Sequence, residues 1–271
     1  MNVAVAIINL ATGTVYLLLA CQALWEIARE RRSRGISRFG LAYVGMALSC
    51  GPHHLIHGIQ AIEGEDFNWM MLTSDLLALV PAVVFVSLRI EAMLGRRGDR
   101  FVVGTPWWLR TMAAFFWCAC GGLVAQSIAQ VVSGHHHPSF MAIFPNALVL
   151  VTYGMVGVLL FRTQLLRNPT TGGWSVSGLS LAAIFPSCAL THVVYGLTAS
   201  FNLAICPADW FGIPASIYFL WIVHRLYTAA IVDWNRRPIV GESRRTERIS
   251  PWARDFLGER PARLLDPGVA R

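Results

Sequence analysis

Ser49-Cys50-Gly51-Pro52-His53-His54-Leu55-Ile56-His57-Gly58 returns later in the chain as Ser187-Cys188-Ala189-Leu190-Thr191-His192-Val193-Val194-Tyr195-Gly196. Each copy places a thiol and an imidazole four residues apart, which on a helix is one face. Each lies inside an apolar segment of the roughly 20 residues that a bilayer crossing takes. Polar side chains are costly in lipid, so a repeated Cys-x3-His there needs built-in partners.

Around these copies the chain is 55% hydrophobic and 14% charged over 271 residues, the composition of a membrane protein. Apolar runs at about 3–26, 39–61, 69–93, 108–132, 141–161, 177–198 and 209–230 predict an all-α integral membrane protein with seven transmembrane helices. The first run lacks a basic start and carries polar residues along its length, so it reads as a retained helix rather than a signal peptide.

The spans fall into two sets of three. The second and sixth share the repeated phrase. The first and fifth share Asn9-x6-Tyr16 and Asn146-x6-Tyr153, and the third and seventh open on Asp66-x2-Trp69 and Asp209-Trp210. The expected organisation is a first three-helix repeat at 1–93, a linker helix and His-containing loop at 94–140, and a second repeat at 141–231. An Arg- and Pro-rich tail follows at 232–271. An odd linker helix makes the two repeats parallel, related by a pseudo-twofold along the membrane normal.

All 22 basic residues are Arg. They fall in 29–38, 89–110, 162–167 and from 225 onward, and none lies in 62–68, 133–140 or 199–208. The positive-inside rule then puts the N-terminus outside and the C-terminus in the cytoplasm of a bacterial-type inner membrane. The net charge of +7 is accounted for by topology and anionic lipid, and no folded basic domain is present to bind nucleic acid. The absence of Lys excludes a retinal Schiff base, which needs a lysine amine.

At about 100° per residue, Cys50, His53, His54 and His57 share one arc, and Cys188, Thr191, His192 and Tyr195 share the equivalent arc. Thiol plus imidazole in an apolar setting suits Cu(I), which favours sulfur and nitrogen at low coordination number. Zn(II) is the rival, though it usually takes four ligands. The candidate metal ligands are therefore Cys50, His54, Cys188 and His192, with His53 and His57. Asn9, Tyr16, Asp75, Asn146 and Tyr153 are expected to line the pocket or orient the ligands. Near the place of Asp75 the second repeat offers Ser216. Cys21, Cys118 and Cys120 read as small apolar fillers. Cys206 belongs to an outer loop, His135-His136-His137 to a solvated loop, and His224 to the interface at the far end.

The stretch Cys50-Gly51-x-x-His54-Leu55-Ile56 resembles the copper-dependent ethylene-binding domain of ethylene receptors, whose second transmembrane helix carries Cys-Gly-x-x-His-Leu-Ile. The resemblance implies that Cys50 and His54 bind Cu(I). It also aligns Asn9 and Tyr16 with that family's Asp-x6-Tyr, Asn replacing Asp, and places Asp75 near a family Lys. By this resemblance the chain is a fused pseudo-dimer of three-helix units. The tail at 232–271 matches neither the GAF nor the kinase module of those receptors, so direct phosphotransfer is not expected of this stretch.

Three functions compete. The first is a receptor-like membrane Cu(I) protein that senses or binds a small hydrophobic ligand such as an olefin, or handles copper for a partner protein. The second is a zinc-dependent seven-span hydrolase, since Ser49, His53, Asp75 and His192 are similar to the zinc lipid hydrolases of the adiponectin-receptor type; the seventh span lacks their His-x3-His. The third is a transporter. It ranks last because the inner halves of the spans are apolar. Enzymatic activity is not the leading reading, and the sequence leaves room for a homo-oligomer.

Overall fold

A computed structural model describes residues 1–96 and 98–235. Seven long helices dominate: α1 (Asn2–Arg34), α2 (Arg38–Glu63), α3 (Trp69–Met93), α4 (Trp107–Val132), α5 (Phe140–Thr171), α6 (Val176–Thr198) and α8 (Pro207–Asn235), with α7 (Phe201–Ala204) a single turn before α8. Five of them, α1, α3, α4, α5 and α6, are long and apolar enough to cross a membrane. Helices α2 and α8 have the length, but their polar residues, including His53, His54, His57, Asp209, His224 and Arg225, set them outside that apolar class. The tail expected at 232–271 lies outside the described residues from 236 onward.

Local signals set the helix ends. Ser37, Asn68, Ser139 and Ser175 each cap a helix N-terminus by accepting a backbone N–H. Gly64 and Gly172 close α2 and α5 in the left-handed conformation. The all-helical expectation needs one amendment. β1 (Phe101–Val103) pairs antiparallel with β2 (Gly173–Ser175), tying the α3–α4 connection to the α5–α6 connection. Asp99 fastens this tie, accepting from Ser175 Oγ at 2.7 Å and from the Ser177 backbone N–H at 2.9 Å.

The packing is paired. α1 lies along α2 as α5 lies along α6, and α1 touches α3 as α5 touches α8. Across the middle, α3 packs on α6 and α8 packs on α2. α4 stands apart, touching α6 and α3, and buries only Cys120, Leu123 and Ser127.

Two apolar clusters fill the interior. One runs from Tyr16, Cys50, Tyr153 and Cys188 toward the β-tie; the other gathers Val5, Ala61, Phe67, Met70, Met71, Leu190 and Val194 near the opposite end. The buried polar residues Asn9, His53, His54, His57 and Asp75 fall between them along their helices.

Small residues allow this closeness, as in other membrane helix pairs. The glycine ending each copy of the repeated phrase abuts the first helix of its own set. A Cβ on Gly58 would meet Leu10 Cγ at 2.8 Å, and one on Gly196 would meet Asn146 Cβ at 3.0 Å. The tightest backbone approach in α1 is at Gly13, where a Cβ would sit 2.8 Å from the Gly51 carbonyl oxygen. Gly13→Ala is expected to cost about 1–3 kcal/mol through overpacking. Gly154→Ala, with open space around it, should be neutral or slightly stabilising. Thermal unfolding midpoints of the two variants in detergent check this; equal midpoints would refute the close approach.

Candidate metal centre

The repeated phrase brings its imidazoles into the centre of the bundle. His53 and His192 face each other with ring centroids 5.0 Å apart, and His53 lies 5.2 Å from His54 and 4.4 Å from His57. All four are buried. Each gives its Nδ1 to a side-chain oxygen: His53 to Asp209 Oδ1 at 2.7 Å, His54 to Asn9 Oδ1 at 2.7 Å, His57 to Gln60 Oε1 at 2.8 Å and His192 to Asn146 Oδ1 at 2.7 Å.

The network assigns the tautomers of two of these rings. Asn9 Nδ2 donates to Asp75 Oδ2 at 2.6 Å and to the Val5 carbonyl at 3.2 Å. Its oxygen therefore faces His54 and accepts the Nδ1–H. Asn146 Nδ2 donates to the carbonyls of Ala142 at 2.8 Å and Ala204 at 3.2 Å, so its oxygen likewise accepts from His192. In both rings Nε2 keeps its lone pair. Metal-binding histidines characteristically hold the other ring N–H on an oxygen in this way. Asn9 and Asn146, seven residues before their tyrosines, do the same task in the two sets.

The tyrosines and thiols cross over. Tyr16 Oη lies 2.7 Å from Cys188 Sγ, and Tyr153 Oη lies 3.3 Å from Cys50 Sγ, so each tyrosine reaches the thiol of the other set. The two thiols are neighbours. Tyr16 also stacks on His54, at 5.9 Å and 7°.

Asp75 and Asp209 complete the belt. Asp75 Oδ1 is 3.9 Å from His54 Nδ1, and Asp209 Oδ1 is 3.9 Å from His192 Nδ1. Each also reaches across the bundle, Asp75 accepting from Tyr195 Oη at 2.8 Å and Asp209 bonding His53. Asp209 is thus the spatial counterpart of Asp75, a place the spacing had given to Ser216. Sequence alignment of Asp209 with Asp66 misled because Asp66 is exposed, whereas α8 starts at Pro207 and buries Asp209 in its first turn. Ser216 instead bonds the Ile213 carbonyl of its own helix.

Two groups of donors lie within 4.8 Å of one another: His53, His57 and Cys206, and His53, His192 and Asp209. Cys50, His54 and Cys188 belong to neither. The structure therefore groups His53 with His57 on one side and with His192 on the other. It also adds Asp209 and Cys206, which no repeat marked as ligands. Cys206 is buried despite lying in a connection. His135 and His137 are exposed, His135 bonding Ser133, and His224 is exposed near the other end of α8.

Comparison with protein-family models, curated proteins and solved structures matches none of them to this chain.

Removing an amide latch strands the partners it holds. Asn146→Leu frees the His192 Nδ1–H and is expected to cost about 1–3 kcal/mol. Asn9→Leu should cost more, because it also deprives Asp75 of a donor. Denaturation of both variants against wild type gives the order, and a smaller loss for Asn9→Leu would contradict the assigned network.

Proposed function

We propose that this chain is a seven-span inner-membrane protein that binds Cu(I) and uses it to sense or bind a small hydrophobic ligand, or to pass copper to a partner protein. One observation carries the reading: every buried imidazole of the core has its Nδ1 held by a side-chain oxygen, and thiols stand beside them. The buried Nε2 atoms of His53 and His57 have no hydrogen-bond partner among the described residues, which is costly in an apolar interior unless a ligand meets them.

The donors fit a soft monovalent ion. Cys50 and Cys188 adjoin, and His54 and His192 follow them by one helical turn with Nε2 unprotonated. Bound there, Cu(I) would supply a Lewis acid able to accept the π-electrons of an olefin. Tyr16 and Tyr153 position the thiols, Asn9 and Asn146 position the rings, and the apolar clusters on either side exclude water. The resemblance of Cys50-Gly51-x-x-His54-Leu55-Ile56 to the ethylene-binding domain supports the same metal. The paired packing supports the fused pseudo-dimer, with 1–93 and 141–231 as its repeats. Arg distribution supports an N-terminus outside and a C-terminus in the cytoplasm.

The zinc-hydrolase reading draws on the second donor group, His53, His192 and Asp209, a two-imidazole, one-carboxyl set. Against it, Asp209 Oδ1 already bonds His53 Nδ1, and Ser49 Oγ is spent on the Met46 carbonyl.

Metal analysis of protein purified without added metal decides between them. The expected result is copper that falls by at least half in Cys50→Ala and in His54→Ala. Zinc retained after loss of both Cys50 and Cys188 would overturn the proposal.

A further inference from the structure

Cys206 sits in the connection between α7 and α8, on the side of the bundle where α2 ends. Its surroundings resemble a closed ligand site more than a loop. The connection is pinned at Ala204, whose carbonyl accepts from Asn146, and Cys206 caps α8 by accepting the Asp209 backbone N–H at 3.0 Å. Cys206 Sγ thereby comes within 4.8 Å of donor atoms on His53 and His57. Cys206, His53 and His57 are 2%, 3% and 0% exposed.

The two rings are oriented for ligation. His53 Nδ1 is held by Asp209 and His57 Nδ1 by Gln60. Their Nε2 atoms are buried and make no hydrogen bond among the described residues. Two buried nitrogens without a partner are expensive in an apolar interior, about 1–3 kcal/mol each. Tyr195 packs on the His57 ring at 4.4 Å and Phe67 lies against both rings, closing the site to water.

We infer that His53, His57 and Cys206 form a second Cu(I) site, separate from the Cys50/Cys188 pair. Two imidazoles and one thiolate make a three-donor set. Three-coordination satisfies Cu(I), whereas Zn(II) would look for a fourth donor, and the nearby Asp209 is committed to His53. Binding releases the Cys206 thiol proton and needs no oxidant. The site exists on one side of the pseudo-twofold only, because Thr191 and Tyr195 stand where the first copy has His53 and His57. The inference rests on the function proposed above for its choice of metal and shares with it the held rings of His53 and His57, but not the Cys50/Cys188 pair.

The test is anaerobic titration of the full-length protein in detergent with Cu(I) alone, under excess ascorbate, followed by desalting and metal counting. Wild type is expected to retain two copper ions, and Cys206→Ser and His57→Gln one each. The double variant Cys50→Ser/Cys188→Ser also retains one. Wild-type stoichiometry in both Cys206→Ser and His57→Gln overturns the site, and leaves the proposed function standing if Cys50→Ser/Cys188→Ser loses copper. Copper lost in Cys206→Ser alone upholds the site and removes the proposed one. Zinc held by the same three residues in place of copper overturns the Cu(I) assignment. A measurement on wild type covers variants that fail to fold: Cu(I) should slow alkylation of Cys206, read by mass spectrometry, and unchanged labelling overturns the site.

Discussion

An imidazole buried among apolar helices has two nitrogens to satisfy and no water to help. In this protein the Nδ1 of every core histidine is bonded to a side-chain oxygen, and the rest of the site follows from those four bonds. They fix the ring planes and, through Asn9 and Asn146, the tautomers of His54 and His192. They also explain why the first helix of each set carries an Asn at a matched depth. A hydrogen bond between neutral partners contributes only about 1 kcal/mol net, but its absence in a dry interior costs more. That asymmetry makes the polar belt a condition of the fold, since loosening one ring leaves several groups unsatisfied at once.

Neither three-helix set meets its own needs. Tyr16 reaches Cys188, Tyr153 reaches Cys50, Asp75 takes the Tyr195 hydroxyl and Asp209 takes His53. All four contacts run between the sets. In lipid, where van der Waals packing and buried polar contacts hold helices together, such crossings are what joins two like halves. The β1–β2 tie and the peripheral α4 then serve as covalent and backbone connections outside that core.

The halves are alike in frame and unequal in chemistry. Asp75 and Asp209 occupy matched places, yet one meets a phenol and the other an imidazole, because Tyr195 and Thr191 replace His57 and His53. The first copy of the phrase therefore carries two additional imidazoles, and these are the ones whose Nε2 atoms lack a hydrogen-bond partner among the described residues. Cys206, contributed by the opposite half, lies within 4.8 Å of donor atoms on both rings.

By itself the sequence determined the helical character with several apolar helices long enough to cross a membrane, and it marked, on repeated helix faces, residues that the structure buries together: Asn9, Tyr16, Cys50, His54, Asn146, Tyr153, Cys188 and His192. Periodicity and spacing carry that information because residues three, four and seven apart share a helix face. Tertiary structure alone decided which belt residues meet across the bundle. It crossed each tyrosine to the other set's thiol and grouped His53 with His57 and Cys206 and with His192 and Asp209. It also drew in Asp209 and Cys206, whose neighbours in sequence look like an exposed loop. The reason is geometric: a helix face is written in local spacing, whereas the burial of a connection depends on where the turn at 201–204 and the start of α8 land against the histidines of α2.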